Sequence, residues 1–448
     1  MNQESKSASP RHSSLFKTLS SKASSLGVIA AIATAFTIAP CFSTSVKATL
    51  QDSPKNTLDE AWQVVNSEFV DKNFNQIDWQ LKRQELLSKS YTNKEEAYKA
   101  LRQALKELGD PYTRFLDPSE FDALTRETSG EVSGVGIRLE IDKKSNHLRV
   151  VEPLANSPAI KAGIKSGDKI VKINGKPTSL MTLEQASTEI KGEIGTKVSL
   201  QISRHGRGVF DVALVRAQIE LPAVTYNLKQ EGKFKVGYIK LEEFSSHAAE
   251  QMKKAIEDLG KKKVSGYVVD LRNNPGGLLF ASVDIARMWM KHGEIVHTID
   301  RKQGEQKFSA NNTALTDLPL VVLVNENSAS ASEILAGALK DNRRATVLGS
   351  RTYGKGLVQS VHTLSDGSGV AVTIARYFPP SGIDIDHKGI APDVQLDLTQ
   401  EQQVNLQSNP SLFATLSDPQ YARAISLLKT QSIGKKSPTS QPMSIRAK

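Results

Sequence analysis

One run of residues constrains this chain more than any other: Leu320–Val324 reads LVVLV, apolar at every position. A strand with one face in water alternates apolar and polar residues, so an unbroken run of this length has to be covered on both faces. Gly266–Leu271 (GYVVDL) has the same character except at Asp270, and Val236–Leu241 precedes it. Helix-spaced apolar positions follow each run, over His247–Leu259, over Leu278–Met290, and at Ile334, Leu335, Ala338 and Leu339. Strands of this kind alternating with amphipathic helices predict an α/β core with a largely parallel sheet between two helical layers. At 448 residues the chain exceeds a single ordinary core, so further domains are expected around it.

Those domains are visible as changes of pattern. From Leu58 to about Leu124 the spacing is helical, with Ala61, Val64, Val65 and Phe69 in one series and Ala97, Leu101, Leu105 and Leu108 in the next; Gly109-Asp110-Pro111 stops the second. Nothing in this region suggests chemistry, and it reads as a small helical cap. After Ser129 come short β-type runs at Gly136–Ile141, His147–Glu152, Lys169–Ile173, Lys197–Ser203 and Val209–Val215, with a helical stretch around Leu183, Ala186 and Ile190. The expected division is 1–48 targeting segment, 55–127 helical region, 128–217 β-rich domain, 218–397 core, 398–433 helical region and 434–448 disordered tail.

The ends explain the charge. The formal net charge is +10, but residues 1–48 and 434–448 carry +4 each and leave +2 for the body, too little to call for a nucleic-acid partner. Residues 1–48 join a basic stretch to the apolar run Leu26–Ala39, the length of a secretory core and short of a spanning helix. Val46-Lys47-Ala48 then offers a cleavage site, with an uncleaved anchor or lipidation of Cys41 as alternatives; Pro40 argues against the second. Cys41 is the single cysteine, which excludes a four-cysteine zinc site or a cysteine nucleophile in the body.

Three segments carry candidate chemistry. Asn325-Glu326-Asn327-Ser328-Ala329-Ser330-Ala331-Ser332-Glu333 lies between the LVVLV run and a helix start, where an α/β sheet exposes side chains at its carboxyl edge. Helix capping accounts for one serine there, not for three separated by alanines. None of the eight histidines lies in a His-Glu-x-x-His pattern or beside a Gly-x-Ser-x-Gly elbow, so a serine nucleophile needs another base. Lys355, between Gly354 and Gly356 and followed by Leu357-Val358, is the candidate, with Gln359 placed to orient its amine. Bringing a lysine from about 10.4 to near 7 destabilises its charged form by about 4 to 5 kcal/mol, within reach of burial. Finally, Asp270-Leu271-Arg272-Asn273-Asn274-Pro275-Gly276-Gly277 ends a strand in a turn whose amides can approach a substrate; the Gly276 and Ala331 N–H groups are the expected oxyanion donors. The same segment also reads as an ordinary tight turn with Asp270 and Arg272 in a structural ion pair.

Together these segments resemble the carboxyl-terminal-processing peptidases, tail-specific serine proteases of family S41, over about Leu58–Val394. The resemblance rests on DLRNNPGGLL from Asp270, VLVNENSASASEILAGAL from Val322, TYGKGLVQ from Thr352, DGSGVAVTIARYFPPSG from Asp366 and KGIAPDV from Lys388. It implies Ser330 as nucleophile rather than Ser328 or Ser332, Lys355 as its base 25 residues later, and Gln359 in support. It also implies that Asp270, Arg272 and Glu333 stand near the site and that Asp341 occupies a position sometimes assigned to a charge relay. A carboxylate beside the lysine would raise its pKa and oppose its work as a base. The β-rich domain resembles a PDZ domain, with Ser133-Gly134-Val135-Gly136-Ile137 as the loop that binds a terminal carboxylate, and with Lys191-Gly192 where relatives often carry Arg-Gly.

The implied architecture is multidomain α+β, a crotonase/ClpP-like α/β core with an inserted PDZ-like domain and an N-terminal helical region. The implied activity is a serine endopeptidase that acts near the C-termini of exported proteins in a periplasm or thylakoid lumen. It would use no cofactor or metal, its partners would be substrate tails rather than nucleic acid, and it could work close to a membrane surface; oligomeric state is left open. The motif wording is closest to cyanobacterial and chloroplast members, some of which trim the photosystem II D1 precursor. Two other classes stay in view: a PDZ-bearing binding protein with a dead core, which would have lost the serine or the lysine, and an acyl-thioester enzyme, which would need neither a Ser–Lys pair nor export.

Overall fold

The computed structural model describes residues 53–142, 147–302 and 304–434. All fall within one compact unit, and the expectations for 1–48 and for 435–448 lie outside the described residues. Among the described residues no helix is long and apolar enough to cross a membrane.

The chain opens with helices α1 (Pro54–Glu68), α2 (Trp79–Ser88) and α3 (Lys94–Glu107). Asn93 caps α3 by accepting the Glu96 N–H, Glu95 and Glu96 occupy its positive end, and Gly109 at φ +70° turns the chain out. Leu58, Val65, Leu101 and Leu105 form the apolar interior of this bundle. The interior also takes in Phe115, Val370 and Val372, because β1 (Arg114–Leu116) pairs with a strand some 250 residues later. The region is therefore fastened into the core rather than laid on it. Helix α4 (Pro118–Ser129) follows, closed at its start by an Asp117–Glu120 capping box and at its end by Gly130 in the left-handed region.

A two-stranded ribbon brackets the next domain. Strand β2 (Glu131–Gly134) enters it, and β3 (Ile137–Ile141), β4 (Leu148–Pro153), short helix α5 (Pro158–Lys161), β5 (Lys169–Ile173), β6 (Lys176–Pro177), α6 (Leu183–Ile190), β7 (Lys197–Arg204) and β8 (Gly208–Val215) build it. Strand β9 (Ala217–Glu220) leaves it, paired antiparallel with β2. The sheet runs β3-β4-β5-β7-β8 with β6 beside β5, antiparallel throughout. Its interior, with Val150, Ile170, Leu200 and Ile202 on strands and Ala186 and Ile190 on α6, is separate from that of the core.

The core sheet consists of β10 (Val224–Glu231), β11 (Phe234–Leu241), β12 (Gly266–Asp270), β15 (Leu320–Val324), β16 (Thr346–Gly349) and β19 (Val394–Gln395), in that order across the sheet. Strands β11 to β19 are parallel and β10 is antiparallel at the edge. Helices α7 (Ala248–Lys261), α8 (Leu279–Trp289) and α9 (Ala331–Asp341) bury one face through Met252, Ile256, Ile285, Trp289 and Leu335. The other face is covered from the C-terminal region, where α10 (Gln400–Ser408) leads to α11 (Pro419–Gly434); Tyr421, Ala424, Ile425 and Leu428 pack on Val268, Val321 and Leu323. This is why LVVLV contains no polar residue. It also shows that the polar-looking region after Asp397 is a layer of the core.

A second sheet, which the sequence patterns did not reveal, crosses over the site. It contains β1, β13 (Glu294–Asp300), β14 (Gly304–Ser309), β17 (Leu357–Thr363) and β18 (Gly369–Phe378), all antiparallel. Strand β18 is its centre, pairing with β1 and β13 on one side and with β17 on the other.

Candidate active site

Strand β15 ends at Val324, and α9 begins at Ala331. Ser330, between them, has φ +53° and ψ −115°, a conformation that costs a residue with a Cβ about 1 to 3 kcal/mol. Its neighbours bind it there. Ser328 is fully buried, and its hydroxyl donates to Leu271 O at 2.8 Å and accepts the Asn325 N–H at 3.0 Å. Ser332, also buried, donates to Asn274 O at 3.0 Å. The Ser330 hydroxyl donates no hydrogen bond among the described residues and lines a cleft of about 300 Å³. Two of the three serines are thus structural, and the middle one is left to the cleft.

Glu333, fully buried in the first turn of α9, ties this elbow to the lysine loop. Its Oε2 accepts the Ser330 N–H and the Lys355 N–H, each at 2.9 Å, while Oε1 accepts the Gly354 N–H at 2.8 Å and Thr352 Oγ1 at 2.6 Å. Burial pushes the carboxyl up from the usual range, and the four donors oppose that rise. Tyr377, buried in β18, adds a second tie, with its hydroxyl donating to Ser330 O at 3.1 Å and its N–H to Gly356 O at 2.9 Å.

Lys355 is half-buried and lines the same cleft. Burial, and next the charge of Arg114, hold its amine below the ordinary lysine range, with Asp110 and Glu333 pulling the other way. Its Nζ lies 4.6 Å from the centre of the Tyr112 ring, and no hydrogen bond joins it to Ser330 Oγ. Burial pushes the Tyr112 phenol itself up to about 12. Gln359, on β17, also lines the cleft, and its amide lies 3.4 Å from Thr373 Oγ1. Tyr112, Arg114 and the α4 residues Leu124, Glu127 and Thr128 correct the expectation that the helical region carries no chemistry: they wall the cleft or surround its amine. No local signal marks them, since only the pairing of β1 with β18 brings them there.

The glycine turn closes the opposite wall. A Cβ on Gly276 would stand 2.8 Å from Ala329 O and from Ser330 Cβ and 3.0 Å from Ala331 N, so the turn approaches the elbow as closely as glycine permits. The expected pair of oxyanion donors is only half free. The Ala331 N–H has no acceptor among the described residues, whereas the Gly276 N–H already donates to Asn274 Oδ1 at 2.9 Å. Asp270 and Arg272 are structural. The Arg272 guanidinium is gripped by Asp270 and, at 2.8 and 3.1 Å, by Asp418 just before α11, and Tyr238 donates to Asp270 at 2.7 Å. Neither lines the cleft.

Asp341 is not brought to the site. It ends α9, eleven residues and about 16 Å of helix from Ser330, and its carboxylate accepts the Ser381 N–H at 3.0 Å. Gly134, Val135, Gly136 and Ile137 line a separate groove of about 530 Å³, with Leu139, Leu183 and Ile190 as its apolar side. Gly136 has φ +74° and packs against Ser157, and the Val135 and Gly136 N–H groups have no acceptor among the described residues. Among the described residues no group of His, Cys, Asp and Glu could hold a metal ion.

Comparison with known proteins identifies the family. The description "Peptidase family S41" matches residues 235–396, and "PDZ domain" matches residues 124–203. The chain is 42% identical over 374 residues to a carboxyl-terminal-processing protease of Synechocystis, covering 82% of this chain and 85% of that one. It is 41% identical to the chloroplastic carboxyl-terminal-processing peptidase 3 of Arabidopsis thaliana, over 76% of this chain and 68% of the relative. Among solved structures, a photosystem II D1 C-terminal processing protease is similar with a TM-score of 0.52 and 38% identity, over 82% of this chain and 99% of that one. With that identity and coverage, the chain belongs to the carboxyl-terminal-processing proteases, serine-type peptidases of family S41.

Proposed function

We propose that Ser330 is the nucleophile of this peptidase and Lys355 its general base. Ser330 Oγ attacks the scissile carbonyl as Lys355 takes its proton. The same amine then protonates the departing amino group, and water releases the acyl-enzyme. The observation that carries this reading is the fate of the three serines. Ser328 and Ser332 spend their hydroxyls on main-chain carbonyls, and the hydroxyl left over shares a cleft with an amine that burial holds below its usual range. The Ala331 N–H is the first oxyanion donor, and the Gly276 N–H becomes the second on leaving Asn274 Oδ1. Gln359 supports the amine, and Glu333 holds both catalytic backbones in register.

Substrates are delivered by their carboxyl ends. The terminal carboxylate enters the loop Gly134–Ile137, where unpaired N–H groups of Val135 and Gly136 receive it. The enzyme works after export, residues 1–48 acting as a cleaved signal, and it needs no metal or cofactor. One substrate to test is the carboxyl extension of the photosystem II D1 precursor, after the name of one structural relative, with general periplasmic tails as the other.

One set of assays tests this. A substrate protein with a free carboxyl end, and the same protein amidated, are offered to wild type, Ser330→Ala and Lys355→Ala. Both variants should lose cleavage by on the order of 10⁴-fold or more, and wild type should prefer the free end. Undiminished cleavage by either variant would overturn the catalytic assignment, and equal cleavage of the two ends would overturn delivery. A D1-derived tail cleaved no faster than an unrelated apolar tail would remove the substrate assignment.

A further inference from the structure

The catalytic cleft and the PDZ groove share a single lining residue, Glu243. It lies in the segment between β11 and α7, next to Phe244, whose N–H and carbonyl pair with Gly276 O and the Leu278 N–H, each at 2.8 Å. That segment is thus fastened to the glycine turn. Within the cleft, Glu127 of α4 is the other carboxylate. Neither Glu127 nor Glu243 makes a salt bridge or a side-chain hydrogen bond among the described residues, while neighbouring Glu242 pairs with Lys240 at 2.9 Å. Burial first, then the charges of Glu127 and Glu242, push the Glu243 carboxyl up, as expected of acids near one another with no cation paired to either among the described residues.

A second observation points to a ligand at this place. Ser245, two residues on, is 1% exposed, lines the same cleft, and its hydroxyl has no hydrogen-bond partner among the described residues. A buried hydroxyl without a partner costs about 1 to 3 kcal/mol. Its Oγ lies against Gly130 at the end of α4, so a peptide main chain would reach it only by parting that contact. At the far end of the groove the charge reverses: Lys191 lines it beside Gly134 and has no ion-pair partner among the described residues.

We propose that Glu243 is a specificity-determining residue. A tail held by its carboxylate in the groove crosses Glu243 on its way to Ser330, and a basic residue at the crossing is accepted over an acidic one. The polarity matches a peptide that ends in a carboxylate and carries a cation upstream. This inference rests on delivery through the groove.

The test uses the full chain and a substrate protein whose tail is scanned between the cut and the carboxyl end with Lys, Gln or Glu at one position at a time. Each enzyme's kcat/KM for the Lys and Glu tails is taken against its own value for the Gln tail, so that a change in folding or turnover cancels. Wild type should prefer Lys to Glu by about fivefold at one stretch of positions, the size of a partly screened ion pair of about 1 kcal/mol. The preference should shrink as salt is raised. Glu243→Gln should abolish it and Glu243→Lys should reverse it. A preference that survives Glu243→Gln, or none at any scanned position, overturns the proposal. Amidated tails run in parallel separate the two levels: if free and amidated tails are cleaved alike, delivery fails and the proposal with it. If free tails are preferred without charge discrimination, Glu243 alone is excluded.

Discussion

At the scale of single residues, the environment of Lys355 makes a claim about pH. A lysine whose pKa is lowered in the folded protein becomes neutral at a lower pH than a free one, so kcat/KM should rise with pH along a single-proton limb and level off below the ordinary lysine value of about 10.4. The neighbours set the direction of the next shift. Arg114 lowers this pKa and Asp110 raises it, so Arg114→Met should move the limb to higher pH and Asp110→Asn should move it lower. A pH profile of kcat/KM for the three enzymes checks this; a limb that stays in place in both variants would separate it from Lys355. Asp341 should leave the limb where it is, since an intervening helix holds it away. The serine and the lysine were both legible in the sequence as residue types at a spacing. What singles out Ser330 physically, the two neighbouring hydroxyls tied to Leu271 O and Asn274 O, depends on a turn some 57 residues earlier and leaves no local mark.

At the scale of elements, the site is two loops held in register by Glu333 and a glycine turn pressed against one of them. Gly276→Ala tests the second contact. Its φ of +108° is foreign to a residue with a side chain, and the added methyl would meet Ala329 O and Ser330 Cβ at 2.8 Å. The strain should cost about 1 to 3 kcal/mol of stability. Displacing the turn from the elbow should lower kcat by about 10² to 10³-fold, the value of one oxyanion donor. Turnover measured beside a thermal melt distinguishes this from simple unfolding, which would lower both together. Most strands and helices of the core and of the PDZ domain were readable because their periodicity is strong. Lys169–Ile173 and Leu320–Val324 have the same limits in sequence pattern and structure. The second sheet was not, because the pairings that join its hairpins and β1 are remote: β1 pairs with β18 across the length of the PDZ domain and the core, β13 pairs with β18 some 80 residues on, and Gly369–Phe378 is buried nearly throughout rather than alternating.

At the scale of the molecule, the C-terminal region is a structural layer with an ionic clasp. Arg272, at the end of β12, is 4% exposed and is held between Asp270 and Asp418, and these partners keep its pKa well above the usual value. Removing one partner of a buried ion pair leaves a charge poorly compensated. Asp418→Ala should therefore destabilise the protein by about 3 kcal/mol, read as a lower denaturant midpoint. The same change should loosen α11 from the sheet, where Tyr421 and Leu428 are fully buried.

By itself the sequence determined the PDZ-then-core order, the parallel core and the residue types of the proposed catalytic pair, because apolar periodicity and turn chemistry act between near neighbours. It also showed a PDZ-like insertion ahead of the core. Tertiary structure alone decided that helix α4 walls the cleft, that Asp270 and Arg272 serve the clasp, that the Gly276 N–H is already engaged, and that Glu243 stands where cleft and groove meet. Each of these depends on side chains brought together from distant segments, and such contacts are set by how the layers pack.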